Sequence, residues 1–323
     1  MPDPAPYTIP AIPYLRLRCV LRAEEEALLP SFKGSMLRGA LGHALRKAAC
    51  AMGPGQRCES CVLRQVCLYT RVFETFIEGE PPPFLKGHTA APRPFVVEAA
   101  EEKRHFAPGD RLRFDLLLFG SAVELQALAG VSIVRMAERG LGERKRRFGV
   151  ESIAAIDPAG GSRTLYCADR PRWTGVAPAL LPPANGLPAS AWTLHLKTPL
   201  RLKAGDHLLQ SIAFRGLVFR ALARVLSLAH FFGDRSGIDW DFQRFLRLAD
   251  RVQIAEKRLV WRDLKRYSAR QGTEMSMGGL VGTLRLAGDL APFAALLRTA
   301  EIVHVGKGAA FGLGQVEVEA SVP

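Results

Sequence analysis

A histidine followed by two basic residues is the first feature of this sequence that could carry chemistry. His43 lies in the segment GSMLRGALGHALRKAAC (34–50), and Arg46 and Lys47 follow it three and four residues later. If the segment is helical, these side chains are surface neighbours. Nearby cations lower the pKa of an imidazole and can hold a phosphate group. The pattern therefore indicates proton transfer beside a bound anion.

Helical periodicity predicts which way His43 points. Ser35 can cap the helix, and the apolar residues fall on one stripe at helical spacing: Leu37, Leu41, Ala44, Leu45 and Ala48. Two steps of about 100° from Leu41 place His43 on the opposite, solvent-facing side. The alternative interpretation is a solvated helix face that carries an incidental histidine.

Four of the six cysteines form a second candidate site. Their spacing is Cys50-x7-Cys58-x2-Cys61-x5-Cys67. Four thiolates suit tetrahedral zinc, and an iron–sulfur cluster uses the same ligand set. The spacing therefore predicts a structural metal, zinc or iron–sulfur, without an open position for catalysis. Free thiols, with Cys50 in the core, are the alternative.

Composition narrows the class of protein. Among 323 residues, Lys and Arg number 44 and Asp and Glu 31, which gives a net charge of +13. A pI near 9.9 is typical of nucleic-acid-binding domains, although a basic enzyme surface would give the same value. The 48% apolar and 23% charged fractions exclude disordered and low-complexity classes. No uncharged run approaches membrane-spanning length, and the proline-containing start does not resemble an export signal, so we expect a cytoplasmic protein without membrane contact.

The order of predicted elements repeats in the two halves of the chain. Strand patterns occupy about 14–22, 95–99, 111–119, 150–156 and 192–202, helices 122–139, 211–232 and 289–299, and a long hairpin 252–268 with 273–286. Each half reads β-α-β-β-α-β, so the predicted fold class is α+β, with two tandem ferredoxin-like domains. We expect domains at 1–156, with a cysteine-rich insertion at 50–67, and at 191–323, joined by a linker at 157–190.

Three segments resemble a known family. The glycine-rich segment VGKGAAFGLGQVEV (305–318) resembles the loop that closes RAMP-type ferredoxin folds of CRISPR-associated proteins. The hairpin WRDLKRYSARQGTEMSMGGLVGTLRLAG (261–288) looks like the segment before that loop in the Cas6 family of CRISPR endoribonucleases. The first helix followed by CESCVLRQVC (58–67) is similar to a bacterial Cas6 branch with a cysteine-rich insertion.

The resemblance implies a reaction. Such enzymes cut CRISPR precursor RNA within repeats, without a catalytic metal, by attack of a ribose 2′-OH on the adjacent phosphate. The products carry a 2′,3′-cyclic phosphate and a 5′-OH. Because the family histidine often lies on or near the first helix, His43 and Lys47 are the predicted catalytic residues. Some members also use a nearby tyrosine, which this helix lacks; Tyr69 or Tyr267 could supply the hydroxyl, and the sequence selects neither.

The resemblance also implies where RNA binds. Phosphate contacts supply most of the affinity, and RNA stems are recognised through shape and backbone. The predicted RNA-binding residues are basic side chains and loop glycines: Arg46, Arg144, Lys145, Arg146, Arg147, Lys265, Arg266, Arg270, Gly306, Lys307, Gly308, Gly312 and Gly314. A tight turn that closes the fold is the alternative role of the glycine loop.

Two other functions stay open at this stage. A non-catalytic RAMP subunit that binds guide RNA in an effector complex would share the basic residues and the glycine loop. A metabolic enzyme with a ferredoxin-like fold is the other alternative, and the sequence contains no cofactor motif that supports it. The predicted partners are CRISPR repeat RNA, as precursor, and other Cas proteins of an effector complex.

Overall fold

The computed structural model describes residues 7–53, 55–82, 85, 89–182, 191–233, 240–268 and 273–320. It divides the chain into two compact units. The first unit is Pro13–Ala179, and the second is Leu180–Pro323 together with Met1–Ile12. The short strand β8 (Ala179–Leu181) lies at the division.

The first unit is a ferredoxin-like fold. Its elements in chain order are β1 (Ile12–Ala23), β2 (Ala27–Leu28), α1 (Gly34–Ala49), β3 (Phe95–Glu98), β4 (His105–Phe106), β5 (Arg111–Phe119), α2 (Gln126–Arg139), β6 (Phe148–Ile156) and β7 (Ser162–Cys167). The antiparallel sheet has the order β3-β5-β1-β6-β7. Its first four strands form the βαββαβ arrangement, and β7 extends the edge beside β6. The predicted fold class is confirmed here.

The second unit repeats the same topology. Its elements are β9 (Ala191–Leu200), β10 (Lys203–Ala204), β11 (His207–Leu208), α3 (Phe214–Phe232), α4 (Phe242–Ala249), β12 (Gln253–Arg262), β13 (Lys265–Ser268), β14 (Thr273–Ser276), β15 (Gly279–Ala287), α5 (Ala294–Val303) and β16 (Val316–Ala320). The main sheet has the order β12-β15-β9-β16, so the fourth strand again lies beside the first. The predicted hairpin consists of β12 with β15 and β13 with β14. The helix α4 is an addition to the basic fold.

Strand alternation places the core of the first unit as predicted. In β1, Leu15, Leu17, Cys19 and Leu21 are buried, while Arg16, Arg18 and Arg22 alternate with them. Leu17 pairs with Leu116 of β5, and Leu116 lines an apolar cavity together with Leu41 and Leu45 of α1. The apolar face of the sheet therefore packs against the helices, and the arginines of β1 lie on the other face.

Two predicted boundaries are wrong. The expected linker 157–190 instead contributes β7, which pairs with β6, because an edge strand needs only one apolar residue, Leu165, to cover the core. The helix α1 begins at Gly34 with Lys33 at its N-cap, so Ser35 lies inside the helix and does not cap it. The buried Lys33 amine donates to the carbonyl of Glu101 over 2.8 Å, which offsets the cost of a cation at a helix N-terminus.

The last predicted helix also starts later than expected. The predicted start at residue 289 is wrong, because a short 3-10 turn, Ala291–Phe293, precedes α5. None of the helices in the described part of the chain is both long and apolar enough to cross a membrane.

Candidate active site and nucleic-acid interface

An aromatic stack fixes the helix that carries His43. The ring of Phe73 lies so close to Gly42 that a methyl group there would overlap it. Phe73 also stacks on Tyr69 and on Phe95 of β3, at centroid distances of 5.4 and 5.1 Å. Because only glycine at position 42 admits this contact, the residue next to His43 sets how closely α1 approaches its support.

His43 is exposed, as the helical geometry predicts. Its pKa is lowered from the ordinary value of 6.5, first by partial desolvation and then by the charges of Arg139, Lys145 and Arg46. The imidazole is therefore neutral near pH 7 and able to accept a proton. We refer to these four residues as the His43 cluster. Lys47 is exposed one turn further along the same helix.

Three different elements bring the cations of the His43 cluster together. Arg46 is on α1, Arg139 is the last residue of α2, and Lys145 lies in the loop that follows α2. Arg139 is exposed at a helix C-terminus, where a cation is favoured by the helix dipole. Sequence reasoning missed Arg139, because only the packing of α1 on α2 places it near His43.

The loop after α2 has a fixed backbone. Leu141 and Arg146 exchange two backbone hydrogen bonds of 2.8 and 2.9 Å, which close the loop. Lys145 has a left-handed φ of 51°. Gly140 has a φ of 95°, and a side chain there would overlap the Lys145 carbonyl. The loop therefore holds the Lys145 backbone against the end of α2.

The basic run of this loop divides into two pairs. Arg146 forms an ion pair of 2.8 Å with Glu25, and Arg147 approaches Glu24 at 3.7 Å. Arg144 and Lys145 are exposed and form no ion pair within the described residues. Of the four predicted phosphate contacts, these two are thus the better placed to meet a ligand.

Tyr69 does not present its hydroxyl to solvent. The side chain is buried, and the hydroxyl donates to Glu74 over 3.2 Å. Burial and this carboxylate raise the pKa of Tyr69, so the phenol stays protonated. Arg46 lies over its ring at 6.0 Å and donates to the carbonyl of Gln56. The other candidate, the side chain of Tyr267, lies outside the described part of the structure.

The glycine loop of the second unit closes the fold. The four predicted glycines have positive φ between 70° and 93°: Gly306, Gly308, Gly312 and Gly314. A side chain at Gly314 would overlap the Val305 carbonyl. His304, fully buried, has its Nδ1 3.1 Å from the carbonyl oxygen of Leu313. These contacts support the alternative role of the loop, a tight turn that closes the fold, because the buried His304 imidazole contacts the loop backbone directly.

Basic side chains gather beside this loop. The pKa of Lys307 is lowered by burial and then by the charges of Lys203 and Arg201. Burial, followed by the charge of Arg266, lowers the pKa of Arg201. Arg266 lies 4.8 Å from the ring centre of Phe311 in the loop. We call Arg201, Lys203, Arg266 and Lys307 the glycine-loop cations; such mutual repulsion favours binding of an anion.

The sequence predicted two of the four glycine-loop cations. Lys307 and Arg266 were predicted from their positions in motifs, whereas Arg201 and Lys203 follow β9 and were missed. The backbone N–H of Lys307 donates to the Arg201 carbonyl over 2.9 Å, a contact that depends on the fold. Lys265 is exposed on β13, and Arg270 lies outside the described residues.

The predicted metal site is not supported. All four of its cysteines lie within the described residues and are free thiols. No group of three or more His, Cys, Asp or Glu side chains in the described part of the chain is arranged to hold a metal ion. Short local contacts shape the segment instead: Cys61 donates its N–H to the Cys58 carbonyl over 3.3 Å, and Cys67 donates to Leu63 over 2.9 Å. Spacing alone did not bring the thiols to one point.

Comparisons with known proteins match both units. A family model for an N-terminal domain, AF_1859_N, matches residues 12–177, and the model of CRISPR-associated endoribonuclease Cas6 matches residues 194–316. A search of curated proteins found no match.

Solved structures with a similar fold include several Cas6 proteins. A Cas6 from Thermus thermophilus has a TM-score of 0.53 at 12% identity, over 95% of this chain and 99% of that chain. A product complex of the same Cas6 gives 0.57 at 14%, with the same coverage. A partial Cas6-RT-Cas1–Cas2 complex gives 0.58 at 13%, over 97% of this chain. This chain spans only 47% of that relative, and 30% of the chain in a further Cas6-RT-Cas1–Cas2 complex.

Proposed function

We propose, from the finding that this chain belongs to the Cas6 family of CRISPR-associated endoribonucleases, that it cleaves CRISPR precursor RNA within repeats. One observation carries the proposal: an exposed histidine of lowered pKa faces cations from three elements of the first unit. That arrangement suits a reaction in which a proton leaves a hydroxyl while negative charge grows on a phosphate.

Each residue of the His43 cluster then has a role. The neutral imidazole of His43 accepts the proton of the ribose 2′-OH, and the 2′ oxygen forms a bond to the adjacent phosphorus. Arg139, Lys145 and Arg46 stabilise the negative charge that develops on the phosphate oxygens. The bond from phosphorus to the 5′ oxygen breaks, and Lys47 is the proposed donor of the proton to that oxygen. The products are a 2′,3′-cyclic phosphate and a 5′-OH.

The cations account for binding of the transcript. Arg144 and Lys145 in the first unit and the glycine-loop cations in the second would contact phosphates, because phosphate contacts supply affinity and position the RNA. This route uses only side chains of the chain, and we propose that it needs no metal ion. It would act in the cytoplasm, where the precursor transcript is made.

The names of the structural relatives extend the proposal to protein partners. Two relatives are Cas6-RT-Cas1–Cas2 complexes. We therefore propose that this chain also assembles with other Cas proteins, which copurification of the tagged chain from its own cells would test.

A cleavage assay on the cognate repeat tests the proposed reaction. The isolated chain, in excess over labelled repeat RNA and in EDTA, should yield one 5′ product that ends in a cyclic phosphate. A substrate with a single 2′-deoxy nucleotide at the cleavage position should bind equally well and stay intact. A 3′-OH end on the product would contradict 2′-OH attack. Tight binding without any cleavage would instead favour the non-catalytic guide-RNA subunit.

A further inference from the structure

The face of the first sheet that lies away from the helices carries a series of arginines. Along β1 they occupy alternate positions at Arg16, Arg18 and, four residues on, Arg22. The neighbouring strand β5 adds Arg111 and Arg113 on the same face, because Arg22 pairs directly with Arg111 and Val20 with Arg113. Five guanidinium groups therefore share one side of two adjacent strands.

One end of this face is electrically balanced. Arg16 forms ion pairs of 2.6 Å with Glu98 and 3.0 Å with Asp115. Arg18 also binds Asp115, through Nε at 3.0 Å and Nη2 at 3.0 Å. Arg16 and Arg18 are thus neutralised by Glu98 and Asp115, whose carboxylates are largely buried. These four groups stabilise the sheet and are not available to a ligand.

The other end has an excess of positive charge. Arg22, Arg111 and Arg113, which we call the arginine patch, are all exposed. The patch forms one ion pair within the described residues, in which Glu151 Oε2 lies 2.8 Å from Arg111 Nε. Within the described residues, Arg22 and Arg113 form no ion pair of their own. All three charges nevertheless act on Glu151 and lower its pKa, Arg111 most strongly.

This arrangement is unfavourable for the folded protein alone. Like charges at directly opposite positions of an antiparallel pair destabilise a sheet, and Arg22 faces Arg111 in that way. Glu151 pairs with Arg111, and neither Arg22 nor Arg113 forms an ion pair with any other carboxylate in the described part of the chain. A polyanion bound at this place would supply the missing negative charge.

The surroundings of the patch indicate which kind of polyanion fits. Its neighbours on the sheet face are Val20 and Ser152, which offer no aromatic ring for base stacking. Bidentate guanidinium groups suit phosphate. Adjacent strands are about 5 Å apart, and residues i and i+2 about 7 Å, so the three guanidinium groups are spaced to contact consecutive phosphates of a single backbone.

We propose that the arginine patch is a second nucleic-acid site, which binds the phosphate backbone of single-stranded RNA without base preference. Its identification with the segment flanking the repeat hairpin rests on the proposed function. The patch would hold the precursor before and after cleavage and leave the reaction itself unchanged. Neither His43 nor Lys47, the proposed catalytic residues, belongs to the patch.

Binding of a generic RNA tests the patch without any cleavage. The probe is a fluorescein-labelled oligouridylate of about twelve nucleotides, titrated with the full chain. The variant Arg22→Gln with Arg113→Gln should weaken binding at least about fivefold and reduce the slope of log K against log salt by about 1.4, two charges at about 0.7 each. The matched control is Arg163→Gln with Arg172→Gln, two exposed arginines of the same unit, and should change affinity less than twofold.

Equal losses of oligouridylate affinity in the two double variants would overturn the proposal, because the net positive charge of the protein would then explain binding without a specific site. Displacement of the probe by polyglutamate at equal charge concentration would also overturn it in favour of an acidic protein partner. Thermal unfolding of Arg22→Gln checks the fold: removal of the repulsion with Arg111 should leave the melting temperature unchanged or raise it. If that variant unfolds early, Arg113→Gln alone carries the test.

Failure of this inference is distinguishable from failure of the proposed function. If the wild-type chain does not cleave repeat RNA but the patch variant loses oligouridylate binding, the patch stands and the proposed reaction falls. If the patch variant binds oligouridylate as well as wild type while wild type cleaves the repeat, the patch falls alone. Cleavage of a repeat hairpin without flanks should proceed at the wild-type rate in the patch variant.

Discussion

The two units have the same strand order, but their equivalent helices and loops have different roles. The first helix of the first unit, α1, presents His43 and Lys47 to solvent on its polar side. The equivalent helix of the second unit, α3, uses its arginines for the fold: Arg215 pairs with Asp250 at 2.8 Å, and Arg224 donates to the Val303 carbonyl over 3.2 Å.

The loops after the second helix of each unit show the same contrast. After α2 the chain turns at Gly140, with a φ of 95°, into a short basic loop. After α5 it turns at the buried His304, with a φ of 60°, into the glycine loop. One topology thus supports the proposed proton-transfer site in one unit and a backbone closure in the other. What differs is exposure: His43, Lys47 and Lys145 are exposed in the first unit, whereas Arg224 and His304 of the second unit are buried and contact backbone carbonyls.

Substitution of His43 should have the largest effect on activity. His43→Ala should slow single-turnover cleavage by about 10²- to 10⁴-fold, because the base for the 2′-OH is lost, while the Kd for RNA stays within about twofold. His105→Ala, which removes an exposed histidine of the same unit, serves as the control. Cleavage at the wild-type rate by His43→Ala would assign the reaction to another group and erase the contrast between the units.

A glycine substitution in the second unit should affect stability most. Gly314→Ala should lower the free energy of unfolding by about 3 kcal/mol, because its φ of 70° and the nearby Val305 carbonyl exclude a side chain. Gly216→Ala is the control: it lies within α3 with open space around it, and should stabilise by up to about 1 kcal/mol. Denaturant unfolding measures the free energy of unfolding of both variants. Equal values for Gly314→Ala and Gly216→Ala would contradict a closing role for the glycine loop.

The pH dependence of the cleavage rate should reflect the cations near His43, because they lower its pKa. In the proposed reaction the neutral imidazole of His43 is the active form. Because its pKa is lowered from 6.5, the cleavage rate should rise with pH and reach half its plateau below 6.5. Removing a cation favours the imidazolium, so Arg139→Gln should move this midpoint to higher pH. Arg135→Gln, one turn earlier on α2, should leave it in place. An unshifted midpoint in Arg139→Gln would remove Arg139 from the cluster.

The smallest effect is expected in the cysteine-rich segment. Because the thiols form no ligand group, Cys61→Ser should change the free energy of unfolding by no more than about 0.5 kcal/mol, with or without chelator. A loss of several kcal/mol that zinc restores would reinstate the metal site that spacing predicted.

Local periodicity was enough for the topology and for the direction in which His43 points. Both follow from rules that operate within a few residues, namely alternation in strands and 100° steps in helices. Element ends were less predictable. The edge strand β7 has too little apolar alternation to be recognised, and the N-cap of α1 depends on a carbonyl of Glu101, far along the chain.

The sequence alone determined the two ferredoxin-like folds, the exposed histidine and the excess of basic residues, because each is a property of composition or of short-range pattern. Only the tertiary structure decided which charges act together. It placed Arg139 and Lys145 near His43, neutralised Arg146 with Glu25, and kept the cysteines from forming a ligand group. Electrostatic interaction depends on distance in space, and packing of helices and strands sets that distance between residues far apart in the chain.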